Sequence, residues 1–253
     1  MDQAQEQESS AQYDAIGTRY EESKTTAAFS AADTFTLLDA LAELGGVENR
    51  RVLDVACGYG HNSRLLAQAG AQKVVGVDIS PQMVHLAREK EISDPLGIEY
   101  HVADAAHLPD LGVFDLATAV YLFNYAPSRF VLAAMFRAIR ARLGPSGRLL
   151  AIVPNPAPFP ERNWEPFGSR IIERRPGREA PQLRVEFLTD PPTPFTYYEW
   201  QLTDVEQAAA QAGFTHIHCR PNRTPPPDAQ RDESFWRVYR RFPISSLLTC
   251  TAP

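Results

Sequence analysis

Three carboxylates and a Gly-x-Gly turn carry the chemistry readable in this 253-residue chain. Asp54 sits inside an apolar run, residues 51–56, which leads into Gly58-Tyr59-Gly60. Asp78 closes a second apolar run, residues 73–78, and Asp104 follows a third, residues 98–103. The first run, its turn and the polar-to-apolar segment 61–69 closed by Gly70 read as strand, tight turn and helix. Glycines there let a ligand approach the backbone, and the helix N-terminus faces whatever binds. A carboxylate at the end of the next strand can take two ribose hydroxyls.

Gly-x-Gly alone does not choose a ligand, because dinucleotide folds use it too. A nicotinamide fingerprint wants a third glycine, where this chain has Ser63. Asp54 lies just upstream of the turn, where its charge disfavours a pyrophosphate, whereas a ligand carrying a sulfonium and an ammonium group tolerates it. The alternative is an ordinary strand-turn-helix with no ligand. The stretch Val52-Leu53-Asp54-Val55-Ala56-Cys57-Gly58-Tyr59-Gly60 resembles motif I of the class I S-adenosylmethionine-dependent methyltransferases.

That resemblance implies a Rossmann-like α/β fold. Its sheet is mostly parallel and seven-stranded, with the last strand antiparallel beside strand 5 and a small insertion after strand 5. S-adenosylmethionine is the implied cofactor. By the same resemblance Asp78 takes the ribose diol and Asp104 the adenine amine, with the Ala105 N–H serving the neighbouring ring nitrogen. Ile79 and Met83 flank the adenine. Asp54 orders the turn and stabilises the ammonium, and the carbonyls of Ala56 and of the chain near Tyr121 accept from it. Asp115 matches the acid at the start of strand 4, where it supports the fold. Tyr13 and Tyr20, in a Tyr-Asp-x-x-Ala/Gly-x-x-Tyr-like segment, match an opening that folds over the cofactor; a surface amphipathic helix is the other reading.

Other stretches resemble a narrower group, the toxoflavin-pathway N-methyltransferases that act on azapteridine ring nitrogens. They are the segment from Gln12 to Gly17, Leu122-Phe123-Asn124-Tyr125-Ala126, Glu186 to Pro192, Phe195 to Trp200, and Ala212-Gly213-Phe214. The expected activity is therefore methyl transfer to a nitrogen of a small planar heteroaromatic in secondary metabolism. O- or C-methylation of another natural product or quinone precursor is the alternative, and a non-catalytic S-adenosylmethionine-binding protein a third reading. Tyr121, Asn124, Tyr125, Trp164, Tyr198 and Trp200 are the expected acceptor contacts, because aromatic walls favour a flat ligand. Alternation along residues 195–200 puts Tyr198 and Trp200 on one face, with Phe195 and Tyr197 on the other. Tyr121 and His61 are candidates near the methyl, His61 being otherwise a helix-terminal residue packed beside the cofactor. No general base is assigned.

Composition bounds the rest. A net charge of −6 argues against a nucleic-acid partner. No apolar stretch approaches the roughly 18–20 residues that span a membrane. Residues 1–10 lack a signal-peptide pattern, and three widely spaced cysteines suit the cytoplasm and offer no zinc pattern. His216 and His218 share a strand face without a third ligand, so no metal is expected; His85, His101 and His107 have no evident partners.

The elements that must position these residues follow from periodicity. A disordered tail, residues 1–11, precedes one domain, residues 12–253. Its cofactor half covers about 31–153, and the insertion with acceptor-side elements about 154–200. Ser30-x-x-Asp33 reads as a helix start, with Phe35, Leu38, Leu41 and Leu44 on its buried face. Strands are expected at 51–56, 73–78, 98–103, 114–121 and 148–153, alternating with helices at 61–69, 81–91 and 128–143. Residues 154–183 read as irregular. Beyond them come β-like runs at 183–188 and 195–200, a helix opened by a capping box at Thr203–Glu206, strands at 214–219 and 246–251, and a short helix at 234–242.

Overall fold

The computed structural model describes residue 21, residues 26–156 and residues 163–253. Tyr13, Tyr20 and the tail 1–11 lie outside the described residues. The elements run α1 (Ala28–Glu43), β1 (Arg51–Val55), α2 (His61–Gln68), β2 (Lys73–Asp78), α3 (Pro81–Ser93), β3 (Glu99–Val102), β4 (Phe114–Val120), α4 (Arg129–Arg140) and β5 (Leu143–Pro154). They continue with β6 (Ser169–Arg175), β7 (Gln182–Phe187), β8 (Thr193–Tyr198), α5 (Leu202–Gln211), β9 (Thr215–Pro221), α6 (Glu233–Arg241) and β10 (Ser245–Thr251).

Seven strands form one sheet in the order β3-β2-β1-β4-β5-β10-β9. The pairs β2–β3, β1–β2, β1–β4 and β4–β5 are parallel, and β10 is antiparallel to both its neighbours. Right-handed crossover helices are what join parallel neighbours, and they cover both faces. Side-chain alternation sorts the faces cleanly. Leu53, Val55, Val75, Val77, Ala117, Ala119, Leu149 and Ala151 pack under α4 and α5. Val52, Val74, Leu116, Val120, Leu150 and Ile152 pack under α1, α2 and α3. Asp54, Gly76 and Thr118 share the parity of the second set, so Asp54 points at the helix layer and not out of the strand end.

A second, three-stranded antiparallel sheet, β6-β7-β8, fills much of the stretch expected to be irregular. Its inner face, with Leu183, Val185, Phe187 and Tyr197, packs with Phe29 of α1 and Trp236 and Tyr239 of α6 into a third apolar cluster. Gly168, at φ +99°, is the close approach: a Cβ there would lie 2.6 Å from the Cβ of Ala27. The sheet can sit this near α1 only without that atom.

Several expected boundaries move. α1 begins at Ala28 with no side-chain cap, and Ser30 and Asp33 lie buried inside it. Its buried face is Phe29, Ala32, Asp33, Thr36, Leu37, Ala40 and Leu41, while Leu38 is exposed. The buried stripe had polar members, which an apolar-only reading passes over. α4 ends at Arg140, and Leu143 pairs with Phe114 as the first residue of β5. Thr203 lies within α5, whose N-cap is Gln201, so the capping box does not form. Trp200 falls beyond the end of β8. By contrast Ser80 caps α3 through a bond from the Met83 N–H, with Pro81 in its first turn, and Ser128 caps α4.

Candidate functional site

Because β1, β2, β3 and β4 are parallel, their carboxyl ends share one edge, and the residues following each strand meet there. β1 runs into the glycine turn. Ala56 takes φ +60°, unusual for a residue with a Cβ, and Gly58 and Gly60 follow at +54° and +87°. Gly60 is also sterically required: a Cβ would lie 2.3 Å from the Tyr100 hydroxyl, whose ring crosses beneath the turn. The turn is therefore a backbone cradle that side chains cannot fill.

Asp78, at the end of β2, is buried and holds this cradle. Its Oδ2 accepts from the Gly58 N–H at 2.8 Å and its Oδ1 from the Ser80 N–H at 2.9 Å. Asp104, after β3, accepts from the Ala106 N–H at 3.0 Å and lies 2.6 Å from His107 Nδ1. His107 thus has a partner, as does His85, 3.3 Å from Glu89, and His101 lies 3.9 Å from Glu99. Ala105 is buried. Ile79 is half-buried, whereas Met83 is wholly buried, so of the pair expected to flank a flat base only Ile79 presents surface.

Asp54 is set deeper. Its carboxylate is 1 % exposed and accepts from Ser63 Oγ at 2.6 Å and Thr118 Oγ1 at 2.7 Å. Burial pushes its pKa up to about 6 against the opposing pull of these two hydroxyls. Ser63 occupies the third-glycine position because its hydroxyl ties α2 to Asp54. His61 opens α2, 6.1 Å from the Tyr59 ring. Asp115 accepts from the Arg51 N–H at 2.8 Å at the opposite edge of the sheet, a purely structural post.

On the other side of Tyr121, the strand ends of β4 and β5 and the start of β10 frame a narrow cavity of about 40 Å³. Tyr121, Asn124, Tyr125 and Trp164, all expected acceptor contacts, line it. Phe29, Phe187, Phe195 and Tyr197 join them. Four of these rings are nearly parallel in succession: Phe29–Phe187 at 15°, Phe187–Phe195 at 24° and Phe195–Tyr197 at 22°. Among the described residues no charged side chain lines the cavity.

Trp200 and Tyr198 do not line it. Trp200 is 3 % exposed, belongs to the core under α4 and α5, and donates from Nε1 to the Ala126 carbonyl at 3.0 Å. Tyr198 packs against that same core. The opposite face of β8, Phe195 and Tyr197, faces the cavity. Strand alternation had offered both faces, and the inward side was set by α1 and α6, which that pattern does not encode.

Tyr121 stands where cradle and cavity meet. It takes φ +57°, and its hydroxyl donates to Asp33 Oδ2 at 2.8 Å. Asp33 Oδ1 accepts from Asn222 Nδ2 and Ser245 Oγ, both at 2.6 Å. Burial, and then the Asp33 charge, hold the Tyr121 hydroxyl well above the ordinary phenol range; burial does the same for Tyr197. Both phenols are thereby held in the neutral form. The Asp33 network was missed in sequence, although an acid on the apolar side of a helical pattern was its available signal. Asn222, within a proline-rich loop, gave none. Among the described residues no cluster of three metal-ligating side chains exists, and no helix is long and apolar enough to cross a membrane.

Residues 52–147 match a methyltransferase-domain family model. A solved S-adenosylmethionine-dependent methyltransferase from Clostridium acetobutylicum ATCC 824 superposes with a TM-score of 0.63 at 16 % identity, covering 87 % of this chain and 90 % of that one. The fold is the class I S-adenosylmethionine-dependent methyltransferase fold. The magnesium protoporphyrin IX methyltransferase of Synechocystis PCC 6803, solved with bound S-adenosylmethionine, shares this fold at a TM-score of 0.55 and 20 % identity, covering 89 % and 79 % of the two chains. In sequence, a ubiquinone biosynthesis O-methyltransferase of Xanthomonas campestris pv. campestris (strain B100) is 33 % identical over 125 residues, 48 % of this chain and 50 % of that protein. The chain spans about half the length of the curated relatives it matches.

Proposed function

We propose that this protein transfers a methyl group from S-adenosylmethionine to a small, flat heteroaromatic acceptor, at a ring nitrogen. The observation that carries the reading is the aromatic-walled cavity meeting the glycine cradle at Tyr121. The cradle suits this cofactor on its own chemistry: backbone open to close approach, and carboxylates placed to accept from hydroxyl, amine and ammonium groups. Gly58 and Gly60 admit the ligand, Asp78 takes the ribose diol, Asp104 and the Ala105 N–H read the adenine, and Ile79 covers it. The carbonyls of Ala56 and of Tyr121 accept from the ammonium. Asp54 acts as a positioning residue, through Ser63 and Thr118.

When bound, the cofactor supplies an electrophilic methyl whose sulfonium leaves as a neutral thioether. The protein's task is then alignment, since the nitrogen lone pair forms the new C–N bond as the C–S bond breaks. A ring nitrogen that carries no proton has its lone pair free and needs no base to expose it. The likeness to toxoflavin-pathway enzymes in Leu122–Ala126 and Glu186–Pro192 supports the fused nitrogen heterocycle of azapteridine type.

O-methylation of a quinone precursor is the second reading, favoured by the ubiquinone biosynthesis O-methyltransferases among the relatives. Incubation with methyl-labelled cofactor and two panels, fused nitrogen heterocycles and catechols, separates them. Label on a ring nitrogen is expected. Label only on catechol oxygens replaces the first reading with the second, and no transfer to either panel alongside tight cofactor binding points to a non-catalytic binder.

A further inference from the structure

We propose that Asn124 determines acceptor specificity: its Oδ1 accepts a hydrogen bond from an N–H on the edge of an uncharged, planar ligand in the aromatic cavity. This rests on the methyl-transfer reading above. Asn124 is 4 % exposed, lines the cavity, and its Oδ1 is buried with no hydrogen-bond partner. A buried acceptor left unpaired costs folding free energy, and native proteins keep few of them. Its position is fixed by the short 3₁₀ turn Phe123–Tyr125 directly after β4, closed by the Tyr125 N–H on the Leu122 carbonyl at 3.0 Å. Phe123 anchors the turn by stacking on Phe136 at 3.9 Å. The backbone that carries the amide is thereby held in place.

Two neighbouring hydroxyls on the wall are already engaged. Tyr121 donates to Asp33, and Ser169 Oγ donates to the Glu186 carbonyl at 3.2 Å. Both have spent their protons there, and among the described lining residues Asn124 Oδ1 is the buried acceptor that has no partner. The near-parallel rings on the opposite side fix the ligand plane, and an in-plane N–H then meets an amide oxygen edge-on. With no charged side chain among the described residues of the wall, an anionic acceptor would be desolvated without compensation. The preferred class is thus a neutral lactam-type heterocycle, with a ring N–H beside a carbonyl. A site built to accept such a bond rejects an analogue lacking the donor, because its own oxygen is left unpaired.

The test uses pteridine-2,4-dione, which carries two ring N–H groups, and its 1,3-dimethyl derivative, which carries none. Each is titrated into the full-length protein saturated with S-adenosylhomocysteine, at a pH where both are neutral. Wild type is expected to prefer the N–H compound by about tenfold or more. Asn124→Leu, which keeps the volume and removes the acceptor, is expected to abolish that preference while cofactor-product affinity and melting temperature stay unchanged. Asn124→Asp, which restores an acceptor oxygen, is expected to recover part of it. Equal binding of both compounds by wild type, or a preference that persists in Asn124→Leu, overturns the assignment to Asn124 and leaves the methyl-transfer reading standing. Tight binding of S-adenosylhomocysteine with no binding of either compound overturns the heteroaromatic reading, and the assignment with it.

Discussion

Ser63 Oγ lies 2.6 Å from Asp54 Oδ2, joining the first turn of α2 to the strand beneath it. Thr118 Oγ1 meets the other oxygen at 2.7 Å from β4. One carboxylate thereby fastens a helix and two strands at the base of the glycine cradle. Replacing Ser63 with alanine removes a hydrogen bond to a charged, buried group, an expected loss of about 1.5–3 kcal/mol. It also removes one of the influences that lower the Asp54 pKa, which should rise further. Urea unfolding with carboxylate titration by NMR measures both. A change in stability under about 0.5 kcal/mol, the usual range for an inconsequential surface substitution, would show that the fastener is dispensable.

The same carboxylate sets a pH dependence. Its pKa rises from 3.8 to about 6 on folding, chiefly through burial. Between those values the native state holds a proton that the unfolded chain has released. Stability from this group therefore falls as pH rises from 4 to 6, and above 6 a constant penalty remains. That penalty is of the order of 3 kcal/mol, taking 1.36 kcal/mol per pKa unit. Asp54→Asn carries no charge, so the stability difference between wild type and variant should shift in favour of wild type on acidification from pH 7 to 4. Denaturant curves collected in parallel check it, and superimposable pH profiles would contradict the assignment.

Asp78 illustrates a site residue with two duties. Its oxygens hold the Gly58 and Ser80 N–H groups, so the side chain shapes the cradle as well as facing the ligand. Asp78→Ala is expected to weaken cofactor binding by about 1.5–3 kcal/mol and to lower folding stability by at least 1 kcal/mol, because buried N–H groups lose their acceptor. Calorimetry and thermal melting separate the two effects. Unaltered cofactor affinity in a folded variant would remove Asp78 from the site.

The cradle was legible because its constraints are local. Gly58 and Gly60 are dictated by backbone conformation, Ser80-Pro81 by capping, and Asp78 and Asp104 by strand ends that a parallel sheet must align. The cavity was half legible for the opposite reason. Tyr121, Asn124 and Tyr125 follow β4 directly, so their place comes with the fold. The inward face of β8 depends on how β6-β7-β8 docks on α1 and α6, and β6 itself was unread: Ser169–Arg175 alternates weakly and carries four charged residues. Asp33 is a tertiary device, with partners 189 and 212 residues away in Asn222 and Ser245, which no local pattern records.

The two faces of β8 make the last prediction. Tyr197 lines the cavity in the stack of near-parallel rings, whereas Trp200, just past the strand end, is buried in the main core with its indole N–H on the Ala126 carbonyl. Trp200→Ala is expected to cost about 3–5 kcal/mol of stability through lost burial and the cavity left behind. It also leaves the Ala126 carbonyl without its donor. Phe keeps a ring in the core but, like Ala, lacks the N–H, so the conservative Trp200→Phe separates the loss of the Ala126 bond from the loss of packing. Its acceptor KM should stay near the wild-type value while its melting temperature falls. Tyr197→Leu reverses the pattern: it removes a ring from the cavity wall and should raise acceptor KM severalfold, with cofactor affinity unchanged. Urea unfolding and steady-state kinetics with an identified acceptor measure both columns of this comparison. An acceptor KM raised by Trp200→Phe and untouched by Tyr197→Leu would place the binding face on the other side of the strand.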